Sequence, residues 1–221
     1  MPTRFRAALF DLDGTLLDTL ADIAAAGNHA LAQVGQPPHP LHAYRQLAGQ
    51  GAAWLIEHAL PPDQQHLAPR ALEVFKAWQL AHGLDQTRPY PGIAEMLDAL
   101  VAKGLQLAVL SNKPEAATQE AVRRRLERWR FAAVVGQREG GPLKPDPAGA
   151  LALARQLGVP PAQWLYLGDT KVDMETAGRA GMFRVGVLWG FRDEAELRAA
   201  GADRIVRHPL EVLCLLEGGA V

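Results

Sequence analysis

The sequence lacks the features of a secreted, membrane-bound or nucleic-acid-binding protein. Its 221 residues include one cysteine, which can form no internal disulfide, and this usage is typical of a reducing cytoplasm. Lys and Arg number 23 against 24 Asp and Glu, so there is no overall field to attract nucleic acid or an anionic membrane. No apolar run approaches the roughly 18–20 residues of a membrane span. We therefore expect a cytoplasmic protein with no nucleic-acid or membrane partner.

Further sequence features limit the classes to which the protein can belong. The N-terminal apolar run at residues 7–10 is shorter than the roughly 7–15 residues of a signal-peptide core, so we expect no export signal. The single cysteine, Cys214, lies in an apolar run at residues 212–216, which favours a buried thiol. Hydrophobic residues make up 48% and charged residues 21%, which is typical of a globular chain.

Short apolar runs alternate with amphipathic stretches along most of the chain. Continuous apolar runs are typical of strands covered on both faces, as in a parallel sheet. Proline before and glycine after the intervening stretches are typical helix boundaries. The alternation predicts an α/β fold with a doubly wound, Rossmann-like parallel sheet. The predicted strands are 5–10, 105–110, 131–135, 164–167, 183–188 and a short 204–206, and the predicted helices are 91–103, 114–129, 147–157 and 170–180.

One part of the chain breaks this alternation. Between residues 18 and 86 no strand pattern occurs, and the pattern predicts a helix at 18–34, shorter helical pieces at 42–60 and a further helix at 62–81. We predict an inserted all-helical domain at residues 18–86, and an α/β core domain made of residues 1–17 and 87–221.

Polar side chains follow four of the predicted strands. In open α/β sheets, ligands bind beyond the carboxyl ends of the strands, so these side chains are expected to meet at one edge. They comprise four carboxylates, one lysine, two hydroxyls and an amide: Asp11, Asp13, Thr15, Ser111, Asn112, Lys144, Asp169 and Asp173.

The chemistry of this set indicates a phosphate-processing site. Four carboxylates against one lysine are difficult to keep ionised without a cation, and ligands that are all oxygen favour Mg²⁺. A metal, a lysine and short polar donors stabilise charge on a transferring phosphoryl group. A carboxylate can also be the nucleophile, forming an aspartyl-phosphate, and an ordinary aspartate is ionised at pH 7.

These segments resemble the four motifs of the haloacid dehalogenase-like (HAD) hydrolase superfamily, and they occur in its order. The resemblance covers about residues 5–206, and its phosphatases and phosphomutases, unlike its dehalogenases, carry the second aspartate of the first motif. The matching segments are Asp11-Leu12-Asp13-Gly14-Thr15-Leu16, Ser111-Asn112, Lys144-Pro145, and Gly168-Asp169-Thr170 with Asp173.

The resemblance implies a role for each of these residues. Asp11 would be the nucleophile and Asp13 the general acid and base. Asp11, the backbone carbonyl of Asp13 and Asp169 would hold Mg²⁺. Asp173 would lie behind these ligands, near Lys144 or a metal-bound water. The phosphate would be bound by Thr15, Ser111, Asn112 through its backbone N–H, and Lys144.

The helical insert resembles the cap domain of this superfamily, and among capped members the phosphoglycolate phosphatases are most similar. Residues 47–53 resemble their cap loop, and residues 189–192 resemble a late stretch of theirs. A Mg²⁺-dependent phosphatase for a small phosphorylated metabolite is therefore implied, with 2-phosphoglycolate the first expectation. His42, Arg45 and Gln50 are the cap residues that we expect to select the substrate.

Several alternatives remain open at this point. The substrate can instead be a sugar or amino-sugar phosphate, a nucleotide or pyrophosphate. A sugar phosphomutase and a non-catalytic module are further alternatives, although no motif residue is missing. The chain is expected to be a monomer or a homodimer.

Overall fold

The computed structural model describes residues 5–216 and contains a six-stranded sheet whose neighbouring strands are all parallel. A separate two-stranded antiparallel ladder joins β2 to β3. The strands of this part of the chain are β1 (Ala7–Phe10), β2 (Leu17–Asp18), β3 (Arg88–Pro89), β4 (Gln106–Pro114), β5 (Ala133–Gln137), β6 (Trp164–Gly168), β7 (Phe183–Val187) and β8 (Arg204–Val206).

Helices connect the strands of the sheet and also form the insert between β2 and β3. The first four make up the helical cap, and the other five belong to the α/β core. Over the described residues they are α1 (Leu20–Gln33), α2 (Tyr44–Leu47), α3 (Ala52–Ala59), α4 (Ala68–His82), α5 (Ile93–Ala102), α6 (Glu115–Arg125), α7 (Ala148–Leu157), α8 (Lys171–Ala180) and α9 (Glu194–Ala199).

Strand β1 lies at the centre of the sheet, in the order β5-β4-β1-β6-β7-β8. After β1 the chain builds β4 and β5 on one side, and it then returns to build β6, β7 and β8 on the other. The winding direction therefore reverses next to β1. Such a reversal opens a crevice at the carboxyl ends of the strands, which is where open α/β sheets bind their ligands.

Both faces of the sheet are buried. Along β1, Ala8 and Phe10 belong to one hydrophobic cluster, whereas Ala7 and Leu9 belong to a second cluster on the opposite face. This alternation follows from the two-residue period of a strand. It confirms the predicted α/β fold, with a doubly wound parallel sheet and an inserted helical cap.

The cap has a hydrophobic cluster of its own and is tied to the core by two chain segments. Tyr44 and Phe75 are fully buried within that cluster. Near the two linkers, the buried Asp22 carboxylate accepts hydrogen bonds from the Gln86 and Thr87 backbone N–H groups and from the Thr87 hydroxyl, at 2.7–3.1 Å. The domain boundaries at 17/18 and 86/87 stay a prediction.

Some of the sequence expectations need correction, and the helix predicted at 114–129 ends already at Arg125. Strand β4 continues to Pro114, four residues beyond the predicted end. The third predicted strand begins at Ala133 rather than at residue 131, because Phe131 packs against the core without joining the ladder. Cys214 is exposed, because the 3₁₀-helix Pro209–Leu216 turns Val212 and Leu216 inward instead.

Within residues 5–216, no helix combines the length and the apolar character that crossing a membrane would require.

The packing of α1 against Tyr44 gives a test of the cap. A methyl group on Gly27 would overlap the Tyr44 ring, so we expect Gly27→Ala to lower the free energy of unfolding by about 1–3 kcal/mol. Gly178 of α8 is the matched control, since its added methyl would meet only the end of the flexible Arg184 side chain. We expect Gly178→Ala to change stability by less than about 1 kcal/mol. Chemical denaturation measures both variants, and equal effects would contradict the packing described.

Candidate active site

The carboxyl end of β1 supplies two carboxylates to the crevice. Asp11 follows the last residue of β1 and is buried, and Asp13 lies two residues further along. Both line one cavity beneath the cap. Gly14 then turns the chain with φ +87°, a conformation that residues with a side chain rarely adopt. A methyl group on Gly14 would also overlap the Asp169 carboxylate. Both the backbone angle and the close approach of Asp169 therefore require glycine at this position.

Lys144 connects two of the predicted carboxylates. Its Nζ donates to Asp11 Oδ1 and to Asp173 Oδ1, each at 2.7 Å, and the three side chains are almost fully buried. Asp173 lies in the first turn of α8, where its other oxygen accepts from the Thr170 N–H and hydroxyl. The helix cap therefore orients Asp173 towards Lys144.

Asp169 follows β6 and is fully buried. Its Oδ2 accepts a 2.7 Å hydrogen bond from the Phe191 N–H, and its Oδ1 accepts one of 3.2 Å from the Thr15 hydroxyl. Thr15 thus orients a carboxylate in this structure, and its predicted contact with phosphate stays a prediction.

A metal fits the donor set at this position. Asp11, Asp169 and Asp173 each offer a carboxylate oxygen, and these oxygens lie within 4.8 Å of one another. Burial raises the pKa of Asp11 to about 7, although Lys144 opposes the shift. Burial, with the nearby Asp11 and Asp173 charges, also raises the pKa of Asp169 well above its usual range. Carboxylates packed this closely in a dry site are stabilised by a cation.

Lys144 keeps its charge in the same surroundings. Burial alone would lower the pKa of Lys144, but the Asp11 and Asp173 carboxylates outweigh it and raise the pKa well above its usual range. The lysine therefore stays an ammonium that can contact phosphate oxygens.

A second lysine, Lys113, lies in the site and is not among the site residues expected from the sequence. Lys113 is buried, and its Nζ contacts both carboxylate oxygens of Asp13, at 3.1 and 3.2 Å. Ser111 and Lys113 are two residues apart, the spacing that puts side chains on one face of an extended strand. The apolar run ends at Leu110, whereas β4 continues to Pro114, so apolar character alone does not indicate this pair. With every group ionised, two lysines and four carboxylates give a formal charge of −2, which one divalent cation neutralises.

Ser111 and Asn112 line the same cavity and have local partners. The Ser111 hydroxyl accepts from the Lys113 N–H at 3.2 Å. The Asn112 amide accepts from the Lys144 N–H at 2.8 Å and donates to the carbonyls of Lys144 and Gly49, each at 3.1 Å. Since Gly49 belongs to the cap, Asn112 connects the cap with the loop that carries Lys144.

Two arginines also hold the cap against the core. The Arg45 guanidinium donates to the carbonyls of Gly190 and Phe191, at 2.5 and 3.3 Å. In the opposite direction, Arg192 donates to cap carbonyls that include that of Ala48, at 3.0 Å. The Phe191 ring is buried in the hydrophobic cluster of the cap. The cap is therefore closed over the carboxylates in this structure.

The three cap residues expected to select the substrate do not line the cavity. His42 is exposed, and neither it nor Gln50 lines the cavity, whose cap loop instead contributes Gly49 and Gly51. Arg45 bonds to the core loop. Their role in substrate selection stays a prediction.

Comparison with known proteins agrees with this architecture. The family profile described as haloacid dehalogenase-like hydrolase matches residues 8–187, and the chain belongs to this family. A phosphoglycolate phosphatase of Pseudomonas putida is 34% identical over 208 residues, which cover 91% of this chain and 76% of that protein. The N-acetylmuramic acid 6-phosphate phosphatase of Pseudomonas aeruginosa is also 34% identical, covering 97% of this chain and 96% of its own length.

A solved structure shows the same similarity. A protein of Lactobacillus delbrueckii subsp. bulgaricus, assigned as a phosphoglycolate phosphatase, superposes with a TM-score of 0.90 at 32% identity. The superposition covers 96% of this chain and 99% of that one. The chain is therefore a phosphatase of the HAD family, similar to phosphoglycolate phosphatases.

The raised pKa of Asp11 predicts that metal binding depends on pH. Below about pH 7 protons compete with Mg²⁺ for this carboxylate, because a ligand must be deprotonated to bind a metal. We expect Mg²⁺ affinity to rise between about pH 6 and pH 8, by up to about tenfold per pH unit for each proton released. Calorimetry in buffers of different ionisation heat measures the affinity and the protons released. Asp63→Asn, which changes an exposed cap carboxylate, should behave as wild type. A pH-independent affinity would contradict the account.

Proposed function

We propose that the protein is a Mg²⁺-dependent phosphomonoester hydrolase that acts through an aspartyl-phosphate, with 2-phosphoglycolate as its preferred substrate. The observation that supports this proposal is the buried cluster in which Lys144 bridges Asp11 and Asp173 beside Asp169. The single cysteine is in keeping with a cytoplasmic enzyme.

In the first step, a carboxylate oxygen of Asp11 attacks phosphorus while the bond from phosphorus to the ester oxygen breaks. Asp13, which carries the proton taken from water in the preceding turnover, gives it to the departing oxygen, so that the alcohol leaves neutral. The Lys144 ammonium contacts Asp11 at 2.7 Å and is positioned to offset charge on the phosphoryl oxygens.

In the second step, Asp13 removes a proton from water, which attacks phosphorus and breaks its bond to Asp11. Inorganic phosphate leaves, and Asp11 is restored as a carboxylate. Asp11 and Asp169, with Asp173 behind them, would hold Mg²⁺, which supplies charge neutralisation for the phosphoryl group when bound.

The size of the closed cavity supports a small substrate. The space that a water-sized molecule can reach in it is about 40 Å³, which leaves little room for a bulky leaving group. A two-carbon acid suits this space better than the ring of a hexose or an amino sugar. The two relatives above carry names that refer to different substrates, so relatedness alone does not select one, and the cavity supports the smaller.

The mechanism requires the Asp11 carboxylate itself. We expect Asp11→Asn to lower kcat by at least about a thousandfold, because the amide is a poor nucleophile, while the circular dichroism spectrum is unchanged. Steady-state phosphate release measures the effect. Asp63→Asn is the matched control and should retain wild-type kcat. Substantial activity in Asp11→Asn would rule out the aspartyl-phosphate route.

The substrate is tested by phosphate release from a panel, with Mg²⁺ and with EDTA. The panel contains 2-phosphoglycolate, hexose and amino-sugar phosphates, a nucleotide and pyrophosphate. We expect 2-phosphoglycolate to exceed the others in kcat/KM by at least about tenfold, and EDTA to abolish turnover. A larger substrate in first place would overturn the assignment of substrate and leave the chemistry standing. Full activity in EDTA would overturn the metal requirement.

A further inference from the structure

The cavity beneath the cap extends from the phosphoryl-binding groups to a wall that the mechanism does not use. Besides Asp11, Asp13 and Ser111, the cavity is lined by Lys113 of the core and by Gln79 of α4, neither of which takes part in the mechanism. Four apolar cap side chains also line it, namely Ile23, Ala52, Leu55 and Phe75. The leaving group of a phosphate ester held at Asp11 must occupy this space, since Asp13, its proton donor, lies in the same cavity.

Lys113 has donor capacity to spare. An ammonium carries three N–H donors, and the only partner of Lys113 Nζ within residues 5–216 is the Asp13 carboxylate. Its side chain is 3% exposed, so bulk water does not satisfy the remaining donor. A buried charge of this kind is stabilised by a further polar or anionic partner.

Gln79 is a second polar side chain that lines this cavity. Its residue is 7% exposed, and its amide makes no hydrogen bond to any residue between 5 and 216. The amide atoms of Gln79 are not among the polar atoms that are fully buried without a partner, so they face open space in which a ligand can reach them. An amide that lines a cavity next to an ammonium is suited to contact an oxygen-rich ligand.

We propose that Lys113 and Gln79 together form the subsite for the leaving group, and that they recognise a carboxylate one or two carbons from the ester oxygen. The Lys113 ammonium binds the carboxylate through its free donor, and the Gln79 amide donates to it from the cap. The inference rests on the proposed phosphatase function and deepens it, since it makes the substrate class short phosphorylated acids. Gln79 belongs to the cap and Lys113 to the core, so this subsite draws on both parts of the chain.

The test compares two substrates in each variant, because their kcat/KM ratio is independent of the active fraction. The pair is 2-phosphoglycolate and 2-hydroxyethyl phosphate, in which a hydroxymethyl group replaces the carboxylate. We expect Lys113→Met to lower the ratio by about 10- to 100-fold, as loss of a charge-assisted hydrogen bond predicts. We expect Gln79→Leu to lower it by about 3- to 10-fold, as loss of a neutral hydrogen bond predicts.

Matched controls come from exposed cap residues. Lys76 lies on α4 with Gln79, and Gln33 lies on α1; both are exposed. We expect Lys76→Met and Gln33→Leu to keep the wild-type ratio, and Lys113→Arg to restore part of the preference that Lys113→Met removes.

Each other outcome would overturn the inference in a recognisable way. If Lys113→Met slows both substrates equally, Lys113 only positions Asp13. If the wild type shows no preference for the carboxylate, or Gln79→Leu keeps the full preference, the subsite is wrong while the phosphatase chemistry stands. If neither substrate is hydrolysed, the proposed function fails. Calorimetric binding of both phosphates to Asp11→Asn then tests the subsite without turnover, and equal affinities would contradict it.

Discussion

One buried ammonium, that of Lys144, joins two carboxylates of the candidate site. It lies between Asp11 after β1 and Asp173 in α8, at 2.7 Å from each, and all three side chains are hidden from water. Breaking a buried ion pair by removing one partner costs several kcal/mol, so the three groups stabilise one another. Since Asp173 also caps α8 together with Thr170, the Lys144 bridge fixes the start of α8 relative to the end of β1. Asp11 also lines the cavity.

The cap is held against the core by hydrogen bonds to backbone carbonyls. These acceptors are present whichever residue occupies the accepting position. Arg45 and Arg192 each donate across the boundary, and Asn112 adds a bond to Gly49. The Phe191 N–H binds Asp169 while its ring lies in the hydrophobic cluster of the cap. Phe191 therefore links the Asp169 carboxylate, which would hold the metal, to the position of the cap. A closed cap excludes water and so strengthens every electrostatic interaction in the cavity.

The fold and the meeting of Asp11, Lys144 and Asp169 at one sheet edge could be predicted because their signals are local. Apolar runs that end in Asp or Ser indicate the strands, and residues such as Lys144 follow them in order. The proposed leaving-group subsite could not be predicted in the same way. Gln79 belongs to a cap helix, and its approach to Lys113 depends on how the cap packs against the core. Lys113 itself was overlooked because apolar character stops at Leu110, whereas the backbone ladder of β4 continues to Pro114.

The most direct test of the central claim, that Asp11 carries the phosphoryl group, is to trap that group on the protein. Wild-type protein turning over 2-phosphoglycolate with Mg²⁺ is quenched rapidly in acid, digested and analysed by tandem mass spectrometry. The account predicts one phosphorylated peptide, with the modification on Asp11 and absent from Asp11→Asn. A phosphoryl group on Asp13 or Asp169, or active protein that never carries one, would contradict it.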